Sequence, residues 1–152
     1  MKTIQATILW RNGVYQWGAL ALAGVSTLLL TLQLFSYDMM AQPFGRLLPK
    51  QMVPAIEIIM AGIVVLELGA IAYFLPLALS KLARAIGAVS AVLVPLVWIV
   101  LTWHGLHNTG AKAVMFGTKF AIGVSWWQVV FMFALFAATI WLIAADRRRT
   151  AA

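Results

Sequence analysis

Long apolar stretches separated by short polar punctuation dominate the chain. Four of them reach the roughly 20 residues that a helix rising about 1.5 Å per residue needs to cross a hydrocarbon core about 30 Å thick. They run from Val14 to Phe35, from Pro54 to Leu75, from Ala85 to His104 and from Ile122 to Ala145. None alternates apolar and polar residues as a barrel wall does. The pattern therefore predicts an all-α protein, an integral membrane four-helix bundle. Residues 1–152 read as a single membrane domain. The first run is longer than the apolar core of a signal peptide, and Arg11 sits late for a short basic leader, so it reads as a span.

The connections differ in length. Only a short basic turn, with Lys81 and Arg84, joins the second and third spans, which predicts an antiparallel hairpin. The first connection, Ser36 to Val53, is punctuated by Pro43, Gly45 and Pro49, and the third, Gly105 to Ala121, by Gly110 and Gly117. Both carry apolar residues, among them Phe44, Leu47, Leu48, Val114 and Phe116, and are expected to lie on the membrane surface. Membrane helices associate through close backbone approach and polar contacts. Ala83, Gly87 and Ala91 form a small face on the third span, Gly62 and Gly69 lie on nearly one side of the second, and Gly18, Ala21 and Gly24 follow the first. These faces suit either packing within the bundle or docking of a partner subunit. Pro95 removes a backbone hydrogen bond inside the third span and is expected to bend it.

Composition strengthens the membrane reading. The chain is 64% hydrophobic and 10% charged, whereas a soluble domain is about half apolar and about a quarter charged. With no cysteine, thiolate nucleophiles, disulfide exchange and iron–sulfur ligation are excluded. The net charge of +7 would suggest nucleic acid in a soluble protein, but the basic residues border apolar runs, where lipid headgroups lie, and nucleic acid is not an expected partner. Seven of the eleven basic residues, Lys2, Arg11, Lys81, Arg84 and Arg147 to Arg149, fall on one side; Arg46, Lys50, Lys112 and Lys119 fall on the other. The bias predicts cytoplasmic N- and C-termini, in a cell membrane that is best read as a bacterial inner membrane. Trp10, Trp17, Trp103, Trp126, Trp127 and Trp141 flank the spans as an aromatic belt.

Glu57 and Glu67 are the most informative polar residues, because both fall in the apolar second span. A carboxylate near the bilayer centre costs at least about 2.5 kcal/mol and marks a functional site by default, although buried polar groups also act as glue between helices. Ten residues put the two about 80° apart around a helix and about 15 Å apart along it, which excludes a dyad in an unbroken helix. Depth along the spans places Glu57 level with Gln33, His104 and Ser125 or Gln128, and Glu67 level with Ser26, Ser90 and Thr139. His104 and His107 share a helical face if the third span continues through Gly105. With Glu57 they are weak candidates for a metal site, and as the only two histidines they suit haem poorly. The cofactor is left unknown. Asp146 with Arg147, Arg148 and Arg149 reads as a stop-transfer signal.

The second span opens with Pro54-Ala-Ile-Glu57-Ile-Ile-Met-Ala-Gly62. With the order of spans, this resembles the DoxX/MauE-like family of small four-helix membrane proteins, whose second helix carries a Pro-x-x-Glu-x-x-x-x-Gly pattern. The resemblance implies membrane redox systems, with a role as an accessory subunit or maturation partner. The lack of cysteine departs from members that handle thiols, and Glu67, His104 and His107 have no counterpart in the pattern. The leading reading is a non-catalytic subunit or assembly partner of a membrane redox complex, with other membrane subunits or further copies as partners. Alternatives are an oligomeric proton-linked transporter using Glu57 and Glu67, and an outward-facing metal-binding subunit.

Overall fold

The computed structural model describes residues 13–75, 77, 79–107, 114–116 and 125–150. In chain order the helices are α1 (Gly13–Leu34), α2 (Tyr37–Gly45), α3 (Ile56–Phe74), α4 (Lys81–Leu106) and α5 (Trp126–Thr150), with 3-10 segments at Lys50–Ala55 and Val114–Phe116. There is no strand among the described residues. Four helices, α1, α3, α4 and α5, are long and apolar enough to cross a membrane. They coincide with the four expected spans. Ile122, the expected start of the fourth, lies outside the described residues, as do Lys2, Trp10, Arg11, Gly110, Lys112, Gly117 and Lys119. The third span begins earlier than its apolar run, at Lys81, because the Ser80 side chain accepts a hydrogen bond from the Ala83 N–H at 3.2 Å and caps the helix.

α4 lies against α3 on one side and α5 on the other, and α1 lies against α3 and α5. This ring of contacts is compatible with a four-helix bundle. Outside it stand Ile58, Val65, Leu82, Val100 and Val130, all exposed, as lipid contact requires. Along α3 and α4 the backbones approach closely. A Cβ on Gly87 would sit 3.0 Å from Tyr73 Cβ and 3.1 Å from the Gly69 carbonyl, and one on Gly69 would sit 2.8 Å from Ser90 Oγ. Gly87 and Ala91 are both buried. Gly87 and Ala91 of the small face are therefore packed within the chain. Gly62 behaves differently from Gly69: it is exposed, with open space where a Cβ would be.

The first connection turns one apolar face onto the long helices. Met40, Phe44, Leu47 and Leu48 are buried in one cluster with Met60, Ile63 and Trp98. Met40 and Phe44, four residues apart, share one face of α2, and Leu47 and Leu48 follow in the turn after it. Met115, from the third connection, joins the same cluster. The two connections thus close one end of the helices, here termed the loop end. The ring of Phe44 meets that of Trp98 edge-on, with centroids 6.3 Å apart. At the opposite end a second cluster forms around Leu22, Ala70, Phe74 and Leu142.

Candidate functional site

Glu67 is 2% exposed and lies among three of the long helices. Its neighbours come from α1 and α4. Gln33 Nε2 donates to Glu67 Oε1 at 2.9 Å, and the Trp98 indole N–H donates to the same oxygen at 3.0 Å. The Gln33 amide also donates to the Met115 carbonyl at 3.3 Å, so the side chain that holds Glu67 also pins the third connection. Gln33 and Trp98 are themselves buried. Glu67 Oε2 is buried and has no hydrogen-bond partner. Among the described residues the salt bridge is elsewhere, between Arg84 and Asp146, so the partners of Glu67 are neutral.

Two small cavities flank this group. One, of about 10 Å³, lies towards the loop end between Gln33, Phe44, Met60 and Trp98. The other, of about 20 Å³, is lined by Glu67 together with Ser26 on α1, Pro95 on α4 and Thr139 on α5. The second is lined by residues of all four long helices.

The expected partners are thus partly rearranged. Ser26 and Thr139 share the Glu67 cavity as their depth suggested, whereas Ser90 instead faces Gly69. Gln33 serves Glu67 and not Glu57. Matching Cα depths overlooks the reach of a long amide, which carries it well below its own helical turn. Gln128, also matched to Glu57, is buried, and its side-chain oxygen accepts from the Ser125 backbone N–H at 3.2 Å at the start of α5. Glu57 is exposed in the first turn of α3. The helix is unbroken between the two glutamates, so they form no dyad.

His107 is exposed, with Nδ1 2.9 Å from the Trp103 carbonyl, and His104 is half-buried. Glu57, His104 and His107 do not come together as a metal site: among the described residues no three His, Cys, Asp or Glu side chains form a group that could hold a metal ion.

A second polar constellation was not anticipated. At the end opposite the loop end, Asp146 Oδ1 accepts from Arg84 Nη2 at 2.7 Å and from the Tyr15 hydroxyl at 3.3 Å, and Oδ2 accepts from the Tyr73 hydroxyl at 3.4 Å. The four residues belong to α4, α1, α3 and α5. Asp146 therefore ties all four long helices together. Trp98 was missed for a simpler reason. The other tryptophans border the spans, but Trp98 lies within one, where an indole N–H must find an acceptor, and Glu67 is the carboxylate in reach.

No family model matches this chain, and no curated protein or solved structure matches it either.

Proposed function

We propose that the protein is a non-catalytic membrane subunit or assembly partner, working through helix contacts with other chains, and that its setting is a membrane redox complex of the DoxX/MauE-like kind. The observation that carries this reading is the orientation of the residues on which the resemblance rests. Glu57 and Gly62 are both exposed on α3, and Gly62 has open space around its Cα. Neither is used to pack this chain's own helices, unlike Gly69 and Gly87. Five residues set Glu57 and Gly62 about 140° apart around the helix, one at each edge of the exposed strip of α3, so that a partner helix along this strip would find close approach at one edge and a polar contact at the other. The same reading places the chain in a bacterial inner membrane with both termini in the cytoplasm, where the Arg147 to Arg149 run meets anionic headgroups.

Native purification from membranes followed by mass spectrometry tests it. The wild-type chain is expected to co-purify with larger membrane subunits, and Gly62→Leu is expected to lose them while keeping its helical content. Isolation as a lone chain with no partner, or an unchanged partner set in Gly62→Leu, sinks the proposal. A proton-linked carrier is the second reading, favoured by the unpartnered oxygen of Glu67. Acidification of liposomes containing the purified chain alone would distinguish it.

A further inference from the structure

The two oxygens of Glu67 are treated differently by the fold. Oε1 accepts two hydrogen bonds, from Gln33 and Trp98, and Oε2 accepts none although it is buried. A carboxylate shares its charge between both oxygens and calls for donors at each. A carboxylic acid is asymmetric: its carbonyl oxygen accepts, and its hydroxyl donates. The pattern around Glu67 is that of the acid, with Oε1 as carbonyl and Oε2 as hydroxyl. Such a hydroxyl needs an acceptor, and the cavity beside Glu67 is lined by Ser26 and Thr139.

We propose that Glu67 is a protonated acid whose Oε2 hydroxyl faces the cavity between the four long helices, and that Ser26 and Thr139 complete there a binding site for one water molecule. The size fits, because about 20 Å³ holds one water and no larger ligand. The hydrogen-bond directions fit as well. Thr139 Oγ1 already donates to the Leu135 carbonyl at 2.8 Å, so its oxygen is left as an acceptor. A water accepting from Glu67 can donate to Thr139 and to Ser26, which makes about three bonds, the usual number for a buried water. The remaining wall is apolar, with Leu29, Val94 and Leu135 among its residues, and offers no counter-charge to an ion. This site does not depend on whether the chain works as an accessory subunit.

Infrared spectroscopy of the purified chain in lipid, at neutral pH in H₂O and in D₂O, tests the proposal. The wild type is expected to show the carbonyl band of a protonated carboxylic acid, shifted to lower frequency in D₂O and absent from Glu67→Gln. Thr139→Val combined with Ser26→Ala removes both acceptors of the water, and is expected to move the band to higher frequency, towards that of an isolated acid. Thr139→Ser keeps the hydroxyl and is expected to leave the band in place. A spectrum with no acid band in the wild type overturns the protonated state. A band that ignores the Thr139→Val and Ser26→Ala pair overturns the water site. If Glu67→Gln fails to fold, the D₂O shift and the Thr139 variants decide the matter on their own.

Discussion

Two carboxylates tie helices together in this protein, and they do so by opposite means. Asp146 sits where four spans end, meets the Arg84 guanidinium at 2.7 Å, and has both oxygens engaged. Glu67 sits deep within the helices, meets only the neutral donors of Gln33 and Trp98, and leaves one oxygen without a partner. At the Asp146 end the Arg84 side chain is 44% exposed and that of Asp146 15%, so the guanidinium charge is partly screened by its surroundings. At Glu67 no such relief exists, and an unpaired charge would be expensive. The comparison separates glue from site: a carboxylate with both oxygens engaged needs no further explanation, while one with an unanswered oxygen beside a cavity points to something that binds there.

The largest effect that sharpens this contrast is expected from Glu67→Leu. It strips the acceptor from two buried donors, and each orphaned donor costs roughly 1–3 kcal/mol in a soluble core, less where lipid-embedded helices find other partners. A net loss of about 2 kcal/mol is expected, measured as resistance to denaturation in detergent. Unchanged stability would show that Gln33 and Trp98 do not rely on Glu67.

Next in size is Trp98→Phe, which retains an aromatic ring against Phe44 but removes the indole N–H. Losing one neutral hydrogen bond is expected to cost about 1 kcal/mol. Combined with Glu67→Leu the two losses should not add, because both delete the same contact. Additivity would separate the residues energetically, leaving Trp98 as packing alone.

How much of this could be read beforehand follows from the physics of each feature. The four long helices were readable because each is an apolar run of about 20 residues, the length and composition of a helix able to cross a membrane. The Gly87 face was readable as a close-approach surface, although its partner was not, since a small residue says nothing about which backbone it meets. Glu67 stood out as a polar group in apolar sequence, with Ser26 and Thr139 at its level. Gln33 and Trp98 did not, because side-chain reach is invisible to a count of helical rises. Met40, Phe44, Leu47 and Leu48 had a helical period, but Pro43 and Gly45 among them resembled loop punctuation, and α2 indeed ends at Gly45, before Leu47. The Asp146 constellation needed the antiparallel order of the spans and the chemistry of Tyr15, Tyr73 and Arg84 to be considered together.

Asp146→Asn carries the third expectation. It removes the ionic part of a contact that is partly solvated, and exposed or half-exposed ion pairs are worth roughly 0.2–1 kcal/mol. A loss below about 1 kcal/mol is expected, diminishing as salt is raised. A loss that ignores salt would mean that the tyrosine hydrogen bonds, and not the Arg84 charge, hold this end together.

The smallest effect is expected from the same chemical change made at the other carboxylate. Glu67→Gln keeps the length and planarity of the side chain. Its amide oxygen can accept from Gln33 and Trp98 as Oε1 does, and its NH₂ replaces the acid hydroxyl as a donor towards Ser26 and Thr139. If Glu67 is a neutral acid, no charge is lost, and the stability change should be within about 0.5 kcal/mol, the scale of substitutions that disturb no named interaction. If Glu67 is ionised, the substitution removes a charge that Gln33 and Trp98 bind more strongly than an amide, because hydrogen bonds to charged groups are worth roughly 1.5–3 kcal/mol against about 1 for neutral ones. The two carboxylate-to-amide changes are therefore best measured side by side, in the same lipid and at the same pH. Asp146→Asn is expected to cost more than Glu67→Gln even though Asp146 is the more accessible residue. The reverse order would mean that the buried group carries the charge, and would remove the distinction between the two sites.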